Sequence, residues 1–198
     1  MTVATQDGLI TGQDGRVRCW WPGDDEQYVA YHDTEWGRPV HDDVRLYEKL
    51  CLEGFQSGLS WITILRKRDN FRAAFAGFDP MVVSEFGASD VDRLLQDAGI
   101  IRHRGKIEAA ITNASVVLEI QDQHGSLDAF VWRFAPETGT RPRSLAEVPA
   151  TTPESTALAK ALKAEGARFV GPTTAYAFMQ SMGMVDDHIV GCEFGRAD

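Results

Sequence analysis

The stretch that decides the fold is Asp90–Ile111, DVDRLLQDAGIIRHRGKIEAAI. Apolar residues recur at helical spacing in its first half, and Ser89 in front of them is a residue type that caps helices. Gly99 is expected to end this first helix, because glycine enters the left-handed backbone region without a steric penalty. A second amphipathic run begins after Gly105 and continues to Leu118. The stretch therefore predicts two helices joined by a short turn.

The turn between these helices, which we call the basic turn (residues 100–106), contains no acid. Its charges are Arg102, Arg104 and Lys106. Backbone N–H groups of a glycine-flanked turn, at the positive end of the next helix, suit a phosphate oxygen. The pattern is similar to a helix-hairpin-helix, with which repair proteins hold a DNA backbone without reading its sequence. The alternative is two packed helices joined by a solvated turn, and the stretch alone leaves both open.

Composition limits the kind of protein this chain can be. Its 198 residues carry a formal net charge of −9. An acidic chain argues against indiscriminate nucleic-acid binding, so any DNA contact has to use a local basic patch. The three cysteines do not form an even disulfide set, the opening residues do not resemble a secretory signal, and no long apolar run is present. We therefore expect a cytoplasmic protein that does not contact a membrane, with a monomer as the default.

Helical patterns dominate the remainder of the chain. Residues 1–17 are polar and lack periodicity, which predicts a flexible N-terminal extension. From Arg18 onward, helical periodicity recurs between glycine and proline breaks, and Thr152 before Pro153 is typical of a helix start. We find no convincing alternating strand. The predicted fold class is all-α, with one helical domain over residues 18–198.

Two cysteines and two histidines lie near the ends of this domain. Cys19 and His32 are separated by twelve residues, and His188 and Cys192 by three. Two thiolates and two imidazoles are the ligand set of a closed structural zinc site, which would clamp the two ends together. The spacing alone leaves a second interpretation open, in which all four are ordinary buried side chains.

Aromatic residues are dense at the beginning of the domain, and an acid lies on a neighbouring apolar helix face. The aromatic residues are Trp20, Trp21, Tyr28, Tyr31 and Trp36. At this density they either fill a core or line a pocket for a flat ligand. Glu53, near Trp61, lies either at a helix end in water or in such a pocket, where it would favour an electron-poor or cationic base.

Several long motifs of this chain, taken together, resemble one known family. They are AYHDTEWG (30–37), CLEGFQSGLSWITILRKR (51–68), LLQDAGIIRHRGKIEAAI (94–111) and RFVGPTTAYAFMQSMGMVDDHIVGC (168–192). The chain resembles the bacterial DNA-3-methyladenine glycosylase I family from about Arg18 to Cys192. The resemblance implies a helix-hairpin-helix glycosylase fold and an enzyme that excises 3-methyladenine from alkylated double-stranded DNA, releasing the free base. It also implies a monofunctional enzyme that starts base excision repair and leaves an abasic site.

The resemblance also implies roles for individual residues. The family's base-recognising glutamate matches Glu53, which we take as the catalytic residue. Stacking aromatic residues match Tyr31 and Trp61, with Trp21 as a further part of the pocket. The family's structural zinc ligands and its phosphate-holding hairpin match these positions: Cys19, His32, His188 and Cys192 for zinc, and Gly99, Ile101, Arg102, Arg104, Gly105 and Lys106 for DNA.

Two functions of other classes compete with this interpretation. A non-catalytic, zinc-stabilised DNA-binding module would keep the hairpin and the metal but not need Glu53 and Trp61. A small-molecule zinc hydrolase is disfavoured, because four protein ligands close the coordination shell and leave no position for water.

Overall fold

A small antiparallel sheet precedes the helices. The computed structural model describes residues 3–5 and 8–196, with strands β1 (Val3–Thr5), β2 (Leu9–Thr11) and β3 (Val17–Cys19) in the order β1-β2-β3. The prediction of an all-α chain is therefore wrong in this segment. The strands have three residues each, too few for alternation to emerge. The Asp14-Gly15 pair, with Gly15 in the left-handed region at φ +80°, was the available hairpin signal.

Part of the segment predicted to be a flexible extension packs onto the domain. Ile10 in β2 is buried. The backbone N–H of Val17 donates to Glu193 Oε1 at 2.8 Å, and Arg16 Nε donates to Glu193 Oε2 at 3.1 Å. The sheet thereby lies against the C-terminal tail and presents Cys19 there. Residues 1, 2, 6 and 7 of the predicted extension lie outside the described residues, and the boundary at residue 18 stays a prediction.

Helices make up most of the described chain. In order they are α1 (Glu26–Thr34), α2 (Asp43–Gln56), α3 (Trp61–Leu65), α4 (Arg68–Ala74), α5 (Pro80–Val83), α6 (Ala88–Gln96), α7 (Arg104–His124), α8 (Leu127–Trp132), α9 (Pro153–Ala164) and α10 (Pro172–Ser181). Thr152 caps α9 as predicted, since its side chain accepts from the N–H of Ser155. Across the described residues, no helix has the length and apolarity that crossing a membrane requires.

Helix α2 lies at the centre of the main core, and this position buries its polar residues. Ten consecutive residues of α2, from Leu46 to Phe55, are buried. Helix α7 packs against it, and the hydroxyl of Tyr47 donates to the carbonyl of Ala110 at 2.8 Å. Because apolar groups surround this part of α2, any charge within the ten buried residues is removed from bulk water and needs a partner. This placement determines the environment of Glu53.

The two predicted helices around the basic turn are present, but their ends differ from the prediction. Helix α6 is capped by Gly87, whose N–H donates to Asp90 Oδ2 at 3.1 Å, and Ser89 lies inside the helix. The helix ends at Asp97, which is extended; Gly99 is not in the left-handed region. A side chain at position 99 would instead be crowded, because its Cβ would lie 3.1 Å from Asn70 Cβ and 2.9 Å from Asp97 Oδ1.

Candidate functional site

A cavity of about 220 Å³ lies where α1, α2 and α3 meet the segment before α1. Its walls include the aromatic residues and the acid noted in the sequence, so we call it the aromatic cavity: Trp21, Tyr28, Tyr31, Trp36, Trp61 and Glu53. The Tyr31 and Trp61 ring centroids are 5.5 Å apart with their planes tilted by 42°. A cavity of this size suits one flat heterocycle rather than a larger ligand.

Glu53 is buried, and its carboxylate pairs with a lysine on the same helix. Lys49 Nζ lies 3.0 Å from Glu53 Oε1 and donates to the Tyr31 hydroxyl oxygen at 2.9 Å. The same ammonium lies 3.2 Å from the Trp61 ring centroid. Burial lowers the pKa of Lys49 to about 8, although Glu53 opposes this shift. A cation therefore connects the acid with the side chains of Tyr31 and Trp61.

The tyrosine hydroxyls of the cavity remain protonated at neutral pH. Burial, together with the charge of Glu53, raises the pKa of Tyr28 to about 12. The same two causes, burial first, raise the pKa of Tyr31 well above its ordinary value. Both side chains are therefore hydrogen-bond donors as well as aromatic surfaces.

Three of the four predicted metal ligands form a compact buried group. The ligand atoms of Cys19, His32 and Cys192 all lie within 4.8 Å of one another. Hydrogen bonding with Cys19 is the largest influence on the pKa of Cys192 and lowers it, and His32 adds to this shift. The pKa of Cys19 is raised, because Cys192 and burial both favour its thiol form. Thiols bind a metal ion as thiolates, so an ion bound here would displace their protons.

His188 lies beside this group but outside it. Its ring centroid is 5.0 Å from that of His32, and its Nε2 is buried without a hydrogen-bond partner in the described part of the chain. A buried nitrogen without a partner requires an explanation, and a metal ion bound by this nitrogen would supply one. His188 Nδ1 lies 2.6 Å from Asp186 Oδ1, and His32 Nδ1 lies 2.8 Å from Asp33 Oδ1. Carboxylates in these positions orient metal-binding imidazoles, so the four residues and their neighbours fit a zinc ion.

The basic turn presents unpaired donors at the start of α7. The His103 ring caps the helix by accepting from the N–H of Lys106 at 3.2 Å. Four backbone N–H groups of the turn donate to no acceptor in the described chain: those of Ile101, Arg102, Arg104 and Gly105. Orphan donors at a helix N-terminus suit an anion.

The side chains of the turn are not equally available. Arg102 is exposed and has no ion-pair partner in the part of the chain that the structure describes, whereas Arg104 donates to Asp92 Oδ1 at 3.0 Å. Lys106 is buried, and its Nζ donates to the carbonyls of Phe55 and Ser57 at 2.9 and 2.6 Å. The Lys106 ammonium therefore completes the C-terminal end of α2 in the free protein, and its contact with DNA stays a prediction.

Comparison with known proteins identifies the family. A family model described as methyladenine glycosylase matches residues 21–196. DNA-3-methyladenine glycosylase 1 of Escherichia coli (strain K12) is 52% identical over 178 residues, which cover 88% of this chain and 95% of that protein. The chain belongs to the methyladenine glycosylase family. DNA-3-methyladenine glycosylase of Haemophilus influenzae is 48% identical over 179 residues, with 89% and 96% coverage.

Solved structures of methyladenine glycosylases share the fold. A crystal structure of 3-methyladenine DNA glycosylase I, 52% identical, matches with a TM-score of 0.86 over 89% of this chain and 98% of that chain. The Staphylococcus aureus 3-methyladenine DNA glycosylase I, in a structure that concerns its recognition of 3-methyladenine, is 33% identical. It matches with a TM-score of 0.87 over 91% of this chain and 97% of that chain. The family resemblance drawn from the motifs is confirmed.

In this methyladenine glycosylase, two residues beside the predicted sites were not predicted from the sequence: Lys49 and Asp33. Lys49 stands one helical turn before Glu53, and this i,i+4 spacing was the available signal. Asp33 directly follows His32, but adjacency in sequence does not reveal that its carboxylate turns back to the ring. The structure brings Glu53, Tyr31 and Trp61 to one cavity, while their individual roles stay predictions.

Proposed function

We propose that this chain is a DNA-3-methyladenine glycosylase I that hydrolyses the N-glycosidic bond of 3-methyladenine in alkylated double-stranded DNA. The observation that carries the proposal is a carboxylate, Glu53, buried beside Tyr31 and Trp61 in a cavity the size of one base. The products are free 3-methyladenine and an abasic site, which starts base excision repair. A cytoplasmic location and a monomeric state stay predictions.

The chemistry requires little acid or base assistance from the protein. Methylation at N3 leaves the adenine ring cationic, so its bond to C1′ of the deoxyribose is already weak. When this bond breaks, its electron pair passes to the ring nitrogen and neutralises the ring. Water bonds to C1′ and loses a proton, while the base leaves as neutral 3-methyladenine. The principal task of the site is therefore to extrude the nucleotide and select the damaged base.

Selection rests on the aromatic faces and on the free oxygen of Glu53. Flat aromatic surfaces attract a cationic ring more strongly than a neutral one. One oxygen of Glu53 pairs with Lys49, and the other has no hydrogen-bond partner among the described residues. That second oxygen can accept from an exocyclic amine of the base. Undamaged adenine lacks the positive charge. Its contacts in the cavity therefore offset less of the free-energy cost of removing the base from water and from the stacked duplex.

We further propose that Cys19, His32, His188 and Cys192 hold a structural zinc ion. The buried thiol pair, the unpartnered His188 Nε2 and the carboxylates behind both imidazoles support this assignment. Four protein ligands leave no position for a reacting water, so zinc supplies stability rather than catalysis. The site would join the segment before α1 to the C-terminal tail beside the aromatic cavity.

The activity is tested by incubating the protein with duplex DNA treated with a methylating agent and separating released bases by chromatography. We expect release of 3-methyladenine and intact DNA strands, which break at the abasic sites only after alkali. Release no faster than from DNA without protein would overturn the proposal and favour a DNA-binding module without catalytic activity.

A first prediction concerns the two exposed arginines of the basic turn. We expect Arg102→Ala to weaken duplex binding about three- to tenfold and to lower the salt slope by about 0.9, because one phosphate contact is lost. Arg104→Ala is expected to have the smaller effect, since Arg104 must first release Asp92. Fluorescence anisotropy at several salt concentrations measures both quantities. Unaltered binding in the double variant would show that DNA binds elsewhere on the protein.

A further inference from the structure

The turn between α9 and α10 holds a strained and exposed aromatic residue. Phe169 has φ of +57°, a left-handed conformation that residues with a side chain rarely adopt, and its side chain is 38% exposed. Arg168 beside it is also exposed, and its guanidinium has no partner in the described chain. Strained backbone of this kind persists only where the surroundings over-determine it.

A buried asparagine on α7 holds the backbone of this turn. Asn113 is only 3% exposed, and its side chain makes two hydrogen bonds to the same residue. Its Oδ1 accepts from the N–H of Arg168 at 2.8 Å, and its Nδ2 donates to the carbonyl of Arg168 at 3.1 Å. The flanking residues Ala167 and Val170 are buried. The backbone is therefore anchored, and the side chains of Arg168 and Phe169 project outward.

The Arg168–Phe169 turn lies between the basic turn and the helix that carries Glu53. The Phe169 ring centroid is 6.3 Å from that of His103. A Cβ placed on Gly105 would lie 3.9 Å from Phe169 Cζ, and one on Gly54 would lie 3.4 Å from Phe169 Cβ. Gly54 directly follows Glu53, and His103 caps α7. The turn therefore borders both the unpaired amides of the basic turn and the C-terminal part of α2.

We propose that the Arg168–Phe169 turn is a second DNA-backbone contact, adjacent to that of the basic turn. Arg168 binds one phosphate of the strand, and Phe169 packs its ring against the neighbouring deoxyribose. The proposal rests on the proposed function only in taking DNA as the partner. In a chain with a net charge of −9, an unpaired arginine beside free helix N-terminal amides marks a local site for a polyanion.

The test measures binding to a duplex that carries a stable abasic-site analogue, by fluorescence anisotropy between 50 and 200 mM salt. We expect Arg168→Ala to raise the Kd about three- to tenfold and to lower the salt slope by about 0.9. The matched control is Arg133→Ala, which replaces an exposed arginine directly after α8. Its guanidinium stacks on Phe130, whose ring lies 4.9 Å from that of His124 at the far end of α7. This control is expected to bind as wild type does. A salt slope for Arg168→Ala equal to that of the control would overturn the proposal.

A second variant distinguishes the loss of a DNA contact from a loss of stability. Phe169→Gly removes the ring but also relieves the left-handed strain, which offsets the packing lost beside His103. We therefore expect a Tm close to that of wild type together with weaker duplex binding. The affinity of both variants for free 3-methyladenine is expected to match wild type, because neither residue lines the aromatic cavity. A lower Tm with unchanged duplex affinity would show a packing role only. A wild-type protein that binds DNA but releases no base would refute the proposed function and leave this inference standing.

Discussion

Glu53→Gln is expected to lower the rate of 3-methyladenine excision about ten- to hundredfold. A hydrogen bond to a charged partner contributes about 1.5–3 kcal/mol, and about 1.4 kcal/mol corresponds to a factor of ten in rate. The amide keeps the shape of the carboxylate but loses its charge and half of its acceptor capacity. Single-turnover excision from methylated duplex DNA measures the rate, and equilibrium binding of free 3-methyladenine measures base recognition. An unchanged rate would remove Glu53 from its proposed role.

A variant of Lys49, the partner of Glu53, provides the control for this prediction. In Glu53→Gln the Lys49 ammonium stays buried without its counter-ion, so part of any loss could come from that lysine rather than from the base. The double variant Glu53→Gln/Lys49→Met removes both charges. If Glu53 contacts the base, the double variant stays as slow as the single one. Recovery of the wild-type rate would show that the unpaired lysine caused the defect, contrary to the proposal.

Chelation of the metal, or loss of one ligand through Cys192→Ala, is expected to lower the Tm by about 8–16 °C. A ligand present at a thousandfold excess over its Kd stabilises the folded state by about 4 kcal/mol, and in a chain of this length each kcal/mol shifts the Tm by about 2–4 °C. Metal analysis of wild type purified without chelator is expected to find about one zinc per chain. A metal-free protein with the same Tm would refute the site.

Two further variants, at Cys51 and at His188, test which residues bind the metal. Cys51 is buried on α2 and does not belong to the metal group, so Cys51→Ala should keep its zinc. His188 lies outside the group of Cys19, His32 and Cys192, and the variant His188→Ala tests whether His188 is the fourth ligand. We expect it to lose zinc as Cys192→Ala does, because the buried Nε2 has no other partner among the described residues. Full zinc retention in His188→Ala would limit the site to three protein ligands.

Local chemistry explains the parts of the fold that could be predicted. The pair Thr152-Pro153 starts α9 as expected, and the helices on either side of the basic turn follow from apolar spacing. Helix ends were less predictable, because several residues compete to satisfy the same orphan groups. Gly87 and Asp90, not Ser89, cap α6, and Asp97 ends that helix before Gly99 is reached. The short β2–β3 hairpin gave too few residues for a periodic signal.

The candidate site, like the fold, could be predicted only in part from the sequence. Residue types alone pointed to two thiols, two imidazoles, a group of aromatic rings and one acid, and the motifs pointed to the family. Only the fold brings Cys19 and His32 to Cys192, because that approach is a long-range contact which no local pattern encodes. The fold also decides which charges are available, since burial is a property of the whole molecule.

Lys106 and Lys49 show most clearly the difference between what the sequence predicts and what the fold decides. By sequence, Lys106 belonged with the exposed arginines of a basic turn, and Lys49 was an ordinary position on a helix. In the folded chain Lys106 is turned inward to the end of α2, whereas Lys49 is buried against Glu53, Tyr31 and Trp61. The amino-acid sequence by itself therefore determined the helical class, the family and the chemical groups. Tertiary structure alone decided the direction and burial of each charge, because a buried charge must find its partner wherever the packing of distant segments leaves one.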